Sequence, residues 1–230
     1  MRRLAAAAIA IATLAACSNS TPAPSINASS ELHDGAAAMA RLKTVSATLK
    51  MAKGKVSLQG FALVSAKTAV RLPADSDTTY TVKEQDILLS LEVVITGGKV
   101  YVHLPLSTLQ EASPAEAAVF PDMAKLFAPT TGLPAVIPAG SDPRYVSTDQ
   151  VDGQSAYQVA TTYSPEQVHG LLSQLNSNSP VAAKVWVGAA DHQIRKAILD
   201  GAFGDNSSEA AVEVDISGFD APVAITSPSP

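Results

Sequence analysis

The chain has 230 residues, 47% of them hydrophobic and 16% charged, with a formal net charge of −5. An acidic chain lacks the electrostatic footprint of a nucleic-acid-binding protein, and no polybasic segment is present for anionic lipid head groups. A single cysteine excludes an internal disulfide, so the fold must be stabilised by apolar burial.

The N-terminal residues have the pattern of a bacterial lipoprotein signal. Arg2 and Arg3 precede an uncharged stretch, 4–14, which is too short to span a hydrocarbon core of about 30 Å and fits the apolar region of a signal peptide. The sequence Leu14-Ala15-Ala16-Cys17 resembles a lipobox. We therefore predict that residues 1–16 are removed and that Cys17 carries acyl chains, which anchor the protein to the membrane. The alternative is an ordinary signal peptide that leaves Cys17 as an unmodified thiol.

The residues after the signal are predicted to form a tether, one domain and a tail. Residues 17–30 are polar, uncharged and contain two prolines, a composition typical of a flexible linker. Residues 31–226 have no internal linker and are predicted to form a single domain, followed by a tail at 227–230. Loss of Arg2 and Arg3 with the signal takes the formal charge from −5 to −7.

One predicted helix is followed by a series of predicted strands. Apolar residues at one-turn spacing predict an amphipathic helix at about Ser30–Thr44. Strict alternation over Ile87–Ile95, the pair Gly97-Gly98, and renewed alternation over Val100–Leu104 predict a β-hairpin. Further strands are predicted at Thr48–Met51, Val56–Val64, Thr78–Val82, Tyr145–Val151, Ser155–Thr162, Ala183–Val187, Ile194–Leu199 and Val212–Ile216.

Two later segments have the sequence of a helix N-terminus. Ser113-Pro114-Ala115-Glu116 and Ser164-Pro165-Glu166-Gln167 both carry a capping-box pattern with proline at the first helical position. Pro121 should break the first helix, whereas the second has apolar residues over 168–175. The fold class predicted from these elements is α+β, with a large curved antiparallel sheet closed by helices.

No catalytic or metal-binding pattern is present in the sequence. The four histidines, His33, His103, His169 and His192, lack metal-ligand spacing and are interpreted as solvated side chains. A serine–histidine–aspartate site assembled from distant residues stays open, because sequence does not show spatial proximity. We predict that the protein is not an enzyme and that it has no metal or organic cofactor.

One loop is unusually apolar for a surface segment. Residues 127–145 read FAPTTGLPAVIPAGSDPRY, and Leu133, Val136 and Ile137 lie in it without helix or strand periodicity. The loop either packs over the end of the core or forms the rim of an apolar ligand cavity.

Six segments in order resemble the LppX/LprA/LprF/LprG lipoproteins of mycobacteria and related actinobacteria, over residues 30–226. They are SATLKMAKGKVSLQG, GGKVYVHLPLS, FAPTTGLPAVI, VDGQSAYQVATTYSPEQV, KVWVGAADHQIRKAIL and VEVDISGFDAPVAITSPSP. One departure is Phe219-Asp220-Ala221, where family members tend to have Trp-Gly. The resemblance implies a half-barrel of antiparallel strands wrapped around helices, similar to the Lol-type carriers. It also implies an apolar cavity for the acyl chains of glycolipids and phospholipids.

The predicted function is that of a lipoprotein anchored on the extracytoplasmic face of the cell membrane, in a periplasm-like space. The resemblance implies that it binds acylated lipids or glycolipids and carries them across the envelope. A membrane transporter is a candidate partner, and no role for nucleic acid is expected. The alternative is a scaffold or accessory module with a filled core, whose apolar loop docks a protein. A carrier should have a cavity well above about 300 Å³. The candidate rim residues are Leu133, Val136 and Ile137, and the candidate cavity residues are Ile87, Leu89, Leu91, Val93, Val100, Val102, Val185, Val187, Val212 and Val214.

Overall fold

The computed structural model of the chain describes residues 25–105, 107–172 and 175–227. The predicted signal peptide, Cys17, most of the predicted tether and residues 228–230 lie outside the described residues. In chain order, the elements are α1 (Ala28–Met39), β1 (Thr44–Lys53), β2 (Ser57–Leu58), β3 (Phe61–Arg71), β4 (Asp75–Glu84), β5 (Ile87–Thr96), β6 (Lys99–His103), β7 (Gln110–Glu111), α2 (Pro114–Ala117), α3 (Met123–Leu126), α4 (Leu133–Val136), β8 (Ser141–Val151), β9 (Gln154–Tyr163), α5 (Pro165–Leu171), β10 (Val181–Gly188), β11 (Ile194–Gly201) and β12 (Ala210–Ser217).

The strands of the described residues form one antiparallel sheet with two open edges. Its order is β7-β6-β5-β4-β3-β1-β12-β11-β10-β9-β8, and β2 pairs with β3 outside this path. Because β7 and β8 do not meet, the sheet is not closed. The predicted α+β architecture, a curved antiparallel half-barrel covered by helices, is confirmed.

The boundaries of α1 differ from the sequence prediction at both ends. The helix begins at Ala28, because the Asn27 side chain accepts a hydrogen bond of 3.1 Å from the Ser30 backbone N–H and so caps the first turn. It ends at Met39, not at Thr44, because Thr44 already pairs with Arg71 at the start of the antiparallel β1–β3 ladder. The last residues assigned to the tether are therefore helical.

Local signals placed the starts of α2 and α5 correctly. Both capping boxes form, Ser113 with Glu116 at α2 and Ser164 with Gln167 at α5. The apolar loop is more regular than its sequence suggests, because it contains α4, a 3₁₀ turn at Ile137–Ala139 and the first residues of β8. Strand β8 tolerates Pro143 because it is an edge strand with an irregular register between Ser141 and Arg144.

The apolar core lies on the concave face of the sheet, under the helices. Helix α1 contributes Leu32, Ala36 and Met39, all at most 5% exposed, to a cluster with Val187 and Ile194. A second cluster surrounds Phe203, and a third surrounds Tyr80. Every helix and strand that the structure describes lies within residues 28–217, so a chain that starts at Ser18 keeps all contacts between these elements.

Candidate functional site

An apolar cavity of about 200 Å³ lies between the concave face of the sheet and the short helices α3, α4 and α5. It is located where the three core clusters meet, since all three contribute to its wall. The sheet supplies Ala47, Leu49, Met51, Ala66, Val185, Ala197, Leu199, Val212, Val214 and Ile216. The helical side supplies Met39, Met123, Leu126, Phe127, Leu133, Val136, Ile137, Val168, Leu171, Leu172 and Leu175.

Strand alternation explains the wall on the sheet side. On β1, Ala47, Leu49 and Met51 point to the concave face, as expected for a period of two. These side chains are only half-buried although they face inward, because they border the cavity instead of packing against a helix. The lining on the sheet side is thus centred on β1 and β12 and extends to β4 in one direction and to β9 in the other.

Five polar side chains also line the cavity, and most have a partner. The Tyr163 hydroxyl donates to the Ile137 carbonyl at 3.0 Å, and the Ser57 hydroxyl donates to an Asp205 carboxylate oxygen at 2.7 Å. The hydroxyls of Thr68 and Thr78 bond to each other at 2.8 Å.

The fifth polar side chain is Tyr80, which is 2% exposed and whose hydroxyl has no hydrogen-bond partner. Burial raises the pKa of Tyr80 and of Tyr163, so both stay neutral phenols. The wall therefore presents methyl and methylene groups together with a few uncharged hydroxyls.

A second, wider cleft of about 690 Å³ adjoins the cavity. Pro121, Leu171 and Leu172 line both spaces, so these three side chains form the partition between them. The cleft is partly polar, with Lys125 Nζ 3.4 Å from Asp122 Oδ2 at its border, beside the exposed His169. The cleft is open to solvent on its outer side.

Six of the thirteen predicted site residues line the cavity. They are Val185, Val212 and Val214 of the cavity candidates and all three rim candidates, Leu133, Val136 and Ile137. The rim candidates form part of the inner wall, and Ile137 is only 6% exposed.

The other seven cavity candidates lie outside the lining for three physical reasons. Strands β5 and β6 lie beyond β4, and Phe120 and Met123 pack over them, so the space above these strands is filled. Val187 is fully buried beneath α1, where the backbone of Gly35 approaches it closely. Ile87 is 64% exposed at the tip of the β4–β5 hairpin. The five candidates on β5 and β6 that pack beneath Phe120 and Met123 are Leu89, Leu91, Val93, Val100 and Val102. Val100 also borders the second cleft.

The sequence prediction missed the lining residues of β1 and of β4, the strand that carries Tyr80. The β1 residues could have been found, since Ala47, Leu49 and Met51 alternate with polar neighbours. Thr78 and Tyr80 were less visible, because inward-facing polar side chains break the apolar pattern that marks a core strand.

The comparison with known sequences identifies the family. The sequence model described as LppX_LprAFG lipoprotein matches residues 27–225 of this chain. The chain belongs to the LppX/LprAFG lipoprotein family. The lipoarabinomannan carrier protein LprG of Mycobacterium leprae is 27% identical over 156 residues, which are 67% of this chain and 62% of that protein. The chain thus spans about three fifths of the length of this curated relative.

Solved structures of the family share the fold. LprF from Mycobacterium bovis has a TM-score of 0.70 at 17% identity, and the superposition covers 88% of this chain and 97% of the LprF chain. LppX from Mycobacterium tuberculosis has a TM-score of 0.62 at 18% identity, and the superposition covers 86% of this chain and 97% of the LppX chain. At these identities the similarity shows the fold alone.

Membership of this lipoprotein family indicates an envelope-associated, extracytoplasmic protein. Among the described residues, no helix has the length and apolar composition required to span a membrane. The same part of the chain contains no group of three or more His, Cys, Asp or Glu side chains positioned to hold a metal ion.

Proposed function

We propose that this LppX/LprAFG lipoprotein binds the acyl chains of lipids or glycolipids in its apolar cavity and carries them across the envelope, without a catalytic step. The observation that supports the proposal best is the extent and composition of the cavity wall. It is continuous across all three core clusters and carries no charged side chain among the described residues. An acyl chain requires only such an apolar, water-excluding surface.

The cavity must widen before it holds a whole acyl chain. Its volume of about 200 Å³ is below the 300–1,000 Å³ that is common for small-ligand sites, and below the value that we expected for a carrier. The partition made by Pro121, Leu171 and Leu172 separates it from a further 690 Å³. Helices α3 and α5 have only four and seven residues, so a small displacement of their ends joins the two spaces.

The energetics favour reversible binding. Burial of about 16 methylenes is worth on the order of 10 kcal/mol before the costs of association. A membrane offers an acyl chain nearly the same environment, so the net preference for the cavity is small. A carrier that must also release its lipid benefits from this near balance.

The proposed path uses the second cleft as the entrance. Acyl chains pass between Pro121 and the C-terminal end of α5, above the wall that includes Leu133 and Val136, while the polar head stays near solvent beside Lys125. Acyl chains on Cys17 hold the protein at the membrane, and a membrane transporter is the partner that we propose for supply or removal of the lipid.

Native mass spectrometry of the chain from Ser18 to Pro230, produced in an actinobacterial host, tests the proposal. We expect non-covalent adducts at lipid masses, which would also identify the lipid. Ala47→Phe places a ring in the cavity and should remove the adducts. Thr48→Phe, one residue further on the opposite face of β1, is the matched control and should retain them.

The alternative function is a scaffold or accessory module of the envelope. The observation that favours it is the small volume of the cavity, which is compatible with a nearly filled core. A mass without adducts from the native host, together with no uptake of added phospholipid, would overturn the carrier proposal in favour of this alternative.

A further inference from the structure

Three hydroxyl groups lie side by side on one wall of the cavity. Thr78 and Tyr80 are two residues apart on β4 and so point to the same face of the sheet, and Thr68 on β3 is the direct cross-strand partner of Thr78. All three side chains line the cavity. We call Thr68, Thr78 and Tyr80 the hydroxyl stripe. It is the one cluster of polar groups in the described lining, since Ser57 and Tyr163 lie elsewhere in the wall.

The hydroxyl stripe has more hydrogen-bond donors than the protein satisfies. Its three hydroxyls carry three hydrogens, and the bond of 2.8 Å between Thr68 and Thr78 uses only one of them. The Tyr80 hydroxyl is bonded to nothing. By contrast, the Tyr163 hydroxyl in the same cavity donates to the Ile137 carbonyl.

Packing alone does not account for a tyrosine at position 80. Its cross-strand neighbours are Ala66 and Leu91, and its ring centroid lies 6.3 Å from that of Phe120. A phenylalanine would fill the same space among these apolar groups without the cost of a buried hydroxyl that lacks an acceptor. The hydroxyl therefore requires an acceptor that the described residues do not supply.

We propose that the hydroxyl stripe donates hydrogen bonds to an uncharged oxygen acceptor that the bound lipid carries inside the cavity. This inference rests on the proposed lipid-binding function and adds a specificity to it. The acceptor is neutral because no Lys, Arg or His lines the cavity within the described residues, and a phosphate or carboxylate at this depth would be an unpaired buried charge. The chemistry is that of an ester carbonyl next to the head group, or of a keto or hydroxyl oxygen within the acyl chain.

The structure also indicates how the acceptor reaches Tyr80. The tyrosine packs in a cluster with Phe120 and Met123, which flank Pro121 in the segment between α2 and α3. Pro121 belongs to the partition that has to move when the cavity widens. The same displacement that admits an acyl chain therefore uncovers the Tyr80 hydroxyl for the lipid.

Two pairs of lipids test the inference on the chain from Ser18 to Pro230. Dipalmitoyl phosphatidylcholine and its dihexadecyl ether analogue differ only in the ester carbonyls. Stearic acid and its mid-chain keto derivative differ only in the oxygen within the chain. Affinities are measured by displacement of a fluorescent fatty acid, for the wild type, for Tyr80→Phe and for the control Tyr163→Phe.

We expect the wild type to bind the oxygen-bearing member of at least one pair about tenfold more tightly, which corresponds to one hydrogen bond. Tyr80→Phe should lose this preference without weaker binding of the oxygen-free member, and Tyr163→Phe should keep it. The pair that shows the effect identifies the source of the acceptor as the ester or the chain. In lipid-free protein, Tyr80→Phe should raise Tm, whereas Tyr163→Phe should lower it because the Ile137 carbonyl loses its donor.

Three results would overturn the inference and leave the carrier function intact. They are equal affinity within both pairs, a preference that survives in Tyr80→Phe, and a Tm that falls in Tyr80→Phe as it does in Tyr163→Phe. The last would mean that the hydroxyl has a partner such as a bound water. If none of the four lipids binds, the proposed function itself fails and the inference fails with it.

Discussion

Substitution of Ala197 by leucine tests whether the cavity is a true packing defect. Ala197 lies on β11 opposite Val185 and Val214, faces the cavity and is only half-buried. Ala183, on the neighbouring strand β10, faces the same side of the sheet but is 3% exposed in a filled cluster. The same change at the two positions should therefore have opposite signs.

The magnitude follows from the three carbons that leucine adds. Burial of three carbons in the cavity contributes about 2.4 kcal/mol at 0.8 kcal/mol each, and fixing the leucine rotamer costs about 0.5–1 kcal/mol. Ala197→Leu should therefore stabilise lipid-free protein by about 1.5–2 kcal/mol. Ala183→Leu forces extra volume into packed surroundings and should destabilise the protein by about 1–3 kcal/mol.

Urea unfolding of lipid-free protein measures both effects. With a slope of about 2 kcal/mol per M, Ala197→Leu should shift the midpoint upward by roughly 0.8–1 M, at unchanged slope. The gain should shrink when lipid is added, because leucine and lipid compete for the same space. A lower midpoint for Ala197→Leu than for wild type, comparable to that of Ala183→Leu, would refute the reasoning and indicate a filled core.

Two further predictions concern charge and backbone geometry. Burial first, and then the negative charge of Glu92, raise the pKa of Asp77. The protein therefore loses stability as the pH rises through the pKa of Asp77 in the folded state, because the carboxyl group then ionises at a cost. Asp77→Asn should raise Tm at pH 7 but not at pH 3, where this carboxyl group is protonated in both the folded and the unfolded chain. Equal gains in Tm at both pH values would contradict this. At Gly54, with φ +72°, a Cβ atom would meet the Glu209 carbonyl oxygen, whereas at Gly60, with φ +84°, it meets nothing within 4 Å. In urea unfolding, Gly54→Ala should cost more than about 2 kcal/mol and Gly60→Ala only about 1 kcal/mol, and similar losses would argue against the close approach.

Local patterns in the sequence predicted most of the sheet and the starts of two helices. The alternation from Ile87 to Ile95 and the Gly97-Gly98 turn correspond directly to β5, its turn and β6. The capping residues Ser113 and Ser164 mark the first turns of α2 and α5. Helices α3 and α4 were not predicted, because four residues carry no detectable 3.6-residue period.

The position of the cavity could not be predicted from alternation alone. A period of two identifies which side chains of a strand face inward, and Leu91 and Val214 both have this pattern. Whether the inner space above a strand is filled depends on the helical segments that cross it. Phe120 packs over β5, whereas Val212, Val214 and Ile216 of β12 border the cavity. This difference arises from contacts between segments distant in sequence.

The strand pairing at the centre of the sheet determines which step of folding comes late. Strand β1 lies between β3 and β12, and Ser46 is paired with Ser217. The two halves of the half-barrel are therefore joined only when the last strand docks against the first. Contacts of such large sequence separation form slowly, because loop-closure entropy opposes them until late in folding. A chain that crosses a membrane with its N-terminal end leading consequently stays without its central ladder throughout the passage. It can complete the concave face that lines its cavity only after its final strand has emerged on the far side.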